Sequence, residues 1–454
     1  MIMSNVNFNL ISSFIWSWFF LPVLFLCAVI LTIGCRGLQF RKFGYAMKQT
    51  VGKAFSRNEH RTEGISAFQA ASTALGSTVG TGNIVGTAQA ICLGGPGALF
   101  WLWVCALISM IVKYAEISLA IHFRKSTPGC GPMDYIEQGL HSKKLALFYG
   151  FMAILSSLAM GNIVQASSIT DSFIAAANSF IPGPELNQGM ARLAVGLFLA
   201  ALTISLISGG AKRIAKSAEL LVPFMVLVFI AVSLAVIIKH ISMLPDVIKT
   251  VIAEAFRPGS ICAGVSGIST AQCIQWGFRR SAFSNEAGLG TSAIAHASAE
   301  TKSPAEQGLW GIFEVFADTI VICSCTSLCI LCSGIEIPWG KITGSGLFLA
   351  SLETVFGPKL SSFMLAVFIG LFAYTSIMGW AMYGNNCAEY VFGRGAAKIY
   401  HTIFILILIF GSVLPLGSVW KIADLVNALM SVPNLIALVL LSPLVIRLSR
   451  DSFS

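Results

Sequence analysis

Residues 66–93 read SAFQAASTALGSTVGTGNIVGTAQAICL, and the fold turns on how this stretch is understood. It is long and apolar enough to cross a bilayer, yet it sets Gly76, Gly80, Gly82 and Gly86 around Ser77, Thr78, Thr81 and Asn83. A helix in hydrocarbon must satisfy its backbone internally, so glycines and polar side chains clustered at mid-span predict a local break that lines a cavity. Close helix packing is the competing explanation, because Gly76/Gly80 and Gly82/Gly86 have GxxxG spacing. A second stretch of the same kind favours the break: residues 258–278, PGSICAGVSGISTAQCIQWGF, carry Gly264 and Gly267 beside Ser266 and Ser269.

The rest of the chain supplies the membrane. Its 454 residues are 56% hydrophobic and 11% charged, with mean hydropathy +0.80, far from the roughly 45–50% apolar and 25% charged of soluble domains. About 20 apolar residues span a bilayer. Eleven stretches reach or approach that length, near residues 12–34, 66–92, 97–122, 145–178, 191–208, 217–240, 258–280, 306–335, 360–391, 401–420 and 422–446. The expected fold class is therefore an all-α integral membrane protein of about 11 transmembrane helices. The first stretch has no Lys or Arg before it and reads as a retained helix, not a secretory signal.

With the N-terminus outside, the inner loops hold 21 Lys and Arg residues and the outer loops seven. That bias predicts N-terminus out, C-terminus cytoplasmic, in the plasma (inner) membrane. Topology thus accounts for the net charge of +9 without a nucleic-acid partner. The 12 cysteines lie mostly in or beside apolar spans, as Cys325, Cys329 and Cys332 do, and lack CxxC…CxxC spacing. Neither a disulfide nor a metal cluster is expected.

The two glycine-rich spans are the second and the seventh. An offset of five places them in opposite orientations, as the first helices of two inverted five-helix repeats. The chain then divides into an extra N-terminal helix with a basic loop (1–65), a first repeat (66–240) and a second (258–447). Residues 124–144 and 336–358 hold matching places in the two repeats, and each predicts a short helix along the membrane surface.

A broken helix at midplane has useful chemistry. The N-terminus of a half-helix presents free N–H groups that suit a carboxylate, and the C-terminus presents carbonyls that suit an ammonium group or Na⁺. Gly80, Thr81 and Gly82 are the candidates for the carboxylate. No Lys or Arg sits mid-span in either broken helix, which points to a zwitterionic substrate. Lys113 and Glu116, i and i+3 in the third span, read as a structural ion pair or as snorkelling groups. Asp318 in the eighth span is either a proton carrier or a fixed hydrogen-bonding group.

Several blocks then form a recognisable set: STVGTGNIVGTAQAICLGGPGALFWLWV (77–104), KYAEISLAIHFR (113–124), GCGPMDYIEQGL (129–140), GNIVQASS (161–168), FSNEAGLGTSAIAHA (283–297) and IMGWAMYGNNCAEYVFG (377–393). Together they resemble the alanine/glycine:cation symporter family, which has the inverted-repeat architecture of the leucine-transporter fold. The resemblance implies sodium-coupled symport of small neutral amino acids, no organic cofactor and a monomer, with H⁺ as the alternative coupling ion. It also implies that Thr81 and Gly82 offer amides to the carboxylate while Asn83 braces the break. Gln165 would reach the polar groups of the substrate or bond between helices, and Trp380 would wall the side-chain pocket or anchor an interface. Sodium would lie between the carbonyls of Gly76 and Val79 and the hydroxyls of Thr375 and Ser376, unless those hydroxyls bond to their own helix.

One departure bears on specificity. Where the family has Phe in a GGFAG-like stretch, this chain has Val265 after Gly264, and both are expected at the substrate pocket. The smaller side chain would admit a larger amino acid such as glutamine. Two other classes fit less well. A channel needs no paired breaks and shows rings of like charge, which are not seen. An intramembrane enzyme needs a nucleophile with a base or a metal motif, and HExxH and GxSxG do not occur.

Overall fold

The computed structural model describes residues 11–12, 14–54, 64–124, 129–180, 187–257, 259, 267–301, 303–342, 344–393, 395–414 and 416–453, without side-chain detail at 53–54, 416–419 and 421. Helices dominate these residues, which contain no strand beyond an isolated bridge between Ile65 and Ala299. Nine helices among them are long and apolar enough to cross a membrane. The remaining two of the eleven expected stretches are the broken ones, too interrupted to satisfy a continuous length criterion.

The order of elements repeats. After α1 (Ile15–Gly34) and a run of short helices comes the first broken helix, α2a (Ala67–Thr78) and α2b, where a wide turn at Gly82–Gly86 runs on into Thr87–Gly94. Then follow α3 (Ala98–Phe123), short α4 (Pro132–Gly139), α5 (Lys143–Phe180), α6 (Gln188–Ile207) and α7 (Gly210–Lys239). An amphipathic linker, α8 (Leu244–Phe256), leads to a second broken helix, α9a (Thr270–Asn285) and α9b (Thr291–Ala297). The same succession returns in α10 (Pro304–Cys332), short α11 (Gly346–Phe356), α12 (Pro358–Phe392), α13 (Ala396–Val413) and α14 (Leu416–Leu440), before α15 (Ser442–Phe453). Both short helices fall inside the intervals expected for them.

The two broken helices even begin alike. Ser66 and Gln69 form a capping box at α2a, and Ser269 and Gln272 form one at α9a, each satisfying two otherwise orphaned amides. Among the described residues, the break in α9 falls outside the stretch that the glycines at 264 and 267 marked. Of the stretch 258–278, Gly264 and Val265 lie outside the described residues, and Thr270 onward is regular helix. The discontinuity comes later, at Glu286–Gly290, inside FSNEAGLG.

Packing explains how the site is framed. α3 backs both halves of α9 and α10, whereas α12 lies against α5. α3 and α10 approach closely because Gly308 and Gly311 face them: an added Cβ would lie 2.3 Å from Ser118 Oγ and 2.8 Å from the carbonyl carbon of Lys113. The extra helix α1 covers α3 and α14. Among the described residues four helices carry wide π-type turns, at Ile15–Phe20, Gly82–Gly86, Ala159–Val164 and Phe316–Cys323.

Candidate functional site

α2a stops at Thr78 because Val79 turns extended, with ψ 91°. Asn83 then holds the break: its Oδ1 accepts from the Gly80 amide at 3.0 Å, the bracing expected of it. Gly80–Gly82 sit at the start of α2b, where a helix leaves its first amides without intrahelical partners. On the far side of the gap, the Ser376 hydroxyl of α12 donates to the carbonyl of Ser77 at 2.8 Å. Neighbouring Thr375 instead donates to its own helix, at Leu371 O and Phe372 O. Gly76 packs against Thr375 Cβ, where an added Cβ would lie at 3.3 Å. Hydroxyls of α12 and carbonyls of α2a are therefore adjacent, with Ser376 bonding across and Thr375 turned back.

The second break has charged braces. α9a ends at Glu286, held in the left-handed region at φ 56°, and the chain returns through Gly288 (φ 88°) and Gly290 (φ 79°), where a Cβ would be strained. Lys113 Nζ donates to the carbonyl of Asn285 at 2.6 Å, and Glu116 Oε1 accepts from the amides of Gly288 (2.9 Å) and Gly290 (3.0 Å). Each charge meets the half-helix end whose dipole it complements. This corrects the expected i, i+3 pair: the two side chains bond to the broken backbone of α9, not to each other. Asn434 of α14 completes the clamp by donating to Glu116 Oε1 at 2.7 Å and to the Gly288 carbonyl at 2.9 Å.

Asp318 joins the two breaks. Its Oδ1 accepts from Asn83 Nδ2 at 2.7 Å, and its Oδ2 accepts from Ser284 Oγ (2.7 Å) and Thr319 Oγ1 (2.8 Å). Of the two expected roles, the geometry supplies the fixed hydrogen-bonding group. Both carboxylate oxygens are satisfied in a buried site, which a charged group needs.

Between the breaks lies a tight cavity with about 250 Å³ of empty space, little of it wide enough for a water molecule. It is lined by Gly80, Gly82, Gln165, Ser376 and Trp380, together with Ser77, Thr78, Met160, Phe283, Ser284 and Glu286. Of the other candidates, Thr81 donates its hydroxyl to Gln165 Oε1 at 3.3 Å, and Asn83, Gly76, Val79 and Thr375 stand behind the lining. Asn162, which shares a helix turn with Gln165, does not join them, since its amide donates to Phe404 O at 2.7 Å. Trp380 reaches the cavity because Gly161 leaves room, an added Cβ there falling 2.2 Å from the tryptophan.

Four lining residues escaped the sequence reading: Met160, Phe283, Ser284 and Glu286. The last three belong to the FSNEAGLG block, whose pair of glycines after a charged residue was the available signal. The cavity offers amides at the start of α2b and, opposite them, the carbonyl end of α9a with the Glu286 carboxylate. That polarity matches a small zwitterion.

The chain is 37% identical over 450 residues to the sodium/alanine symporter AgcS of Methanococcus maripaludis, covering 96% of this chain and 95% of that one. It is 35% identical over 441 residues to the probable sodium/glutamine symporter GlnT of Bacillus subtilis, covering 96% and 88%. Among solved structures, MhsT in complex with L-phenylalanine superposes with TM-score 0.58 at 14% identity, over 86% of this chain and all of that one, which shows a shared fold. The sequence model of the sodium:alanine symporter family matches residues 1–453, and this multi-pass membrane transporter belongs to that family.

Proposed function

We propose that the protein carries small neutral amino acids, alanine and glycine foremost, into the cell together with Na⁺ by alternating access. The observation that carries this reading is the small enclosed cavity between two oppositely polarised helix breaks. The carboxylate would be held by the amides at Thr81 and Gly82, the ammonium group by the end of α9a and Glu286, and the side chain by Trp380 and Phe283. Sodium, as co-transported substrate, would take oxygen from the carbonyls of Gly76 and Val79 and from the Ser376 hydroxyl, with Thr375 bonding within its own helix. A hard cation seeks such oxygen donors. The repeats 66–240 and 258–447 would rock about this point, with the N-terminus outside and the C-terminus in the cytoplasm.

Uptake of radiolabelled alanine into proteoliposomes tests the assignment. We expect saturable, concentrative uptake that stops when choline replaces sodium; uptake that persists and follows a pH gradient would overturn the ion, and competition by strongly cationic amino acids alone would overturn the substrate. The glutamine named for one relative supports a wider range. Glutamine should then compete with alanine for uptake.

A further inference from the structure

Away from the cavity, one buried polar cluster has no part in the mechanism above. His296 of α9b has Nε2 2.5 Å from Oε1 of Glu314 on α10, and its Nδ1 lies 2.7 Å from Nε2 of Gln307. All three residues are buried, and Glu314 Oε2 has no hydrogen-bond partner among the described residues. A carboxylate beside a neutral imidazole carries a net negative charge into a water-poor site with one oxygen bare, which is costly. One added proton makes the pair neutral. Gln307 suits both states: its NH₂ donates to the bare Nδ1 of a neutral ring, and the amide turned over lets its carbonyl accept from the N–H of an imidazolium.

The surroundings leave that proton to this pair. On α3, Lys113 and Glu116 are engaged at the α9 break, and Tyr114 packs at Gly308. On α12, Tyr383 lies within electrostatic reach of Glu314 and Glu286. On α4, Asp134 accepts from the Cys130 amide. α2a presents no charged or titratable side chain, and the basic residues Lys48, Arg447 and Arg450 on the outlying helices are exposed. α9b and α10, which carry the pair, both pack on α2a, where Trp310 meets Phe68. α2a is the half-helix that ends at the first break, and its last residues, Ser77 and Thr78, line the cavity.

We propose that His296 and Glu314 form a proton-binding site that fills when α2a closes over it and empties when α2a moves away. Opening and closing then release and take up one H⁺, and the pair returns to its starting state each cycle. The idea rests on the transport reading, since closure is what substrate and sodium bring about.

The purified full-length protein in weakly buffered solution with a pH-sensitive dye provides the test. Adding Na⁺ and alanine should draw on the order of one proton per molecule from solution, as linkage requires when a site binds a proton in one conformation only. Glu314→Gln and His296→Gln should each abolish that uptake. A protein that binds no alanine sinks the transport reading and this inference together. One that binds alanine with sodium and takes up no proton between pH 6 and 9 sinks this inference alone. Proton uptake undiminished in both folded variants also overturns it, because Glu286 or Asp318 would then be the group. Should neither variant fold, Gln307→Met keeps both titrating groups, and the pH of half-maximal proton uptake should move by about one unit; an unmoved midpoint counts against the pair.

Discussion

The two breaks occupy the same place in successive halves of the chain and begin from the same kind of capping box, yet they are stabilised by different chemistry. The first is short and held by neutral groups, with Asn83 bonding to the Gly80 amide and Ser376 to the Ser77 carbonyl. The second spans Glu286–Gly290 and is clamped by Lys113 at one end and Glu116 at the other. Backbone groups freed in hydrocarbon must be satisfied in both. The difference teaches that a gap meant to receive a ligand stays lightly tied, while the gap opposite it is fixed.

Breaking the charged clamp should therefore do most harm. Glu116→Ala leaves Lys113 buried without its complement and two amides bare, and should cost about 3–5 kcal/mol, seen as a large fall in thermal stability in detergent and as loss of uptake. Asn83→Ala, the matching change at the neutral break, should cost less, about 1–3 kcal/mol for the unsatisfied groups it leaves. The same unfolding and uptake measurements rank the two, and a reversed order would refute the contrast drawn between the breaks.

Gly379→Ala acts on the first break alone, since its Cβ would lie 1.6 Å from Ser77 Oγ. Overpacking of this kind costs about 1–3 kcal/mol and should lower the maximal uptake rate while leaving the α9 clamp, and its protection from hydrogen exchange, unchanged. Ser376 and Thr375 give the finest test. Ser376→Ala removes a bond across the gap and should raise the sodium concentration for half-maximal uptake by up to about tenfold, as one hydrogen bond is worth about 1 kcal/mol. Thr375→Val should change it by less than about threefold, because its hydroxyl already bonds within its own helix. Equal effects would place both hydroxyls on the ion.

Much of this was legible in the chain. Glycines amid polar residues at 76–86 announced the first break, although their GxxxG spacing also suits close packing. The second break hid behind its own stabilisation: NEAGLG carries a charge, and charge reads as the end of a span, while the glycines at 264 and 267 stand out earlier in the same apolar stretch. Spacing along one helix likewise suggested that Lys113 and Glu116 pair, because the partner backbone that claims them lies 172 residues away in sequence. Asn162 and Gln165 stand three apart, the spacing of one face in a regular helix, but the chain there runs through the wide turn at Ala159–Val164 and Asn162 bonds to Phe404 O instead.

Those wide turns have a wider consequence. At Gly82–Gly86, Ala159–Val164 and Phe316–Cys323 the backbone ladder loosens, and such turns are where helices bend. Gly82, Met160 and Asp318, one from each, either line the cavity or bind the groups that do. The same few peptide units thus loosen their helices and either border the cavity or hold the groups that do.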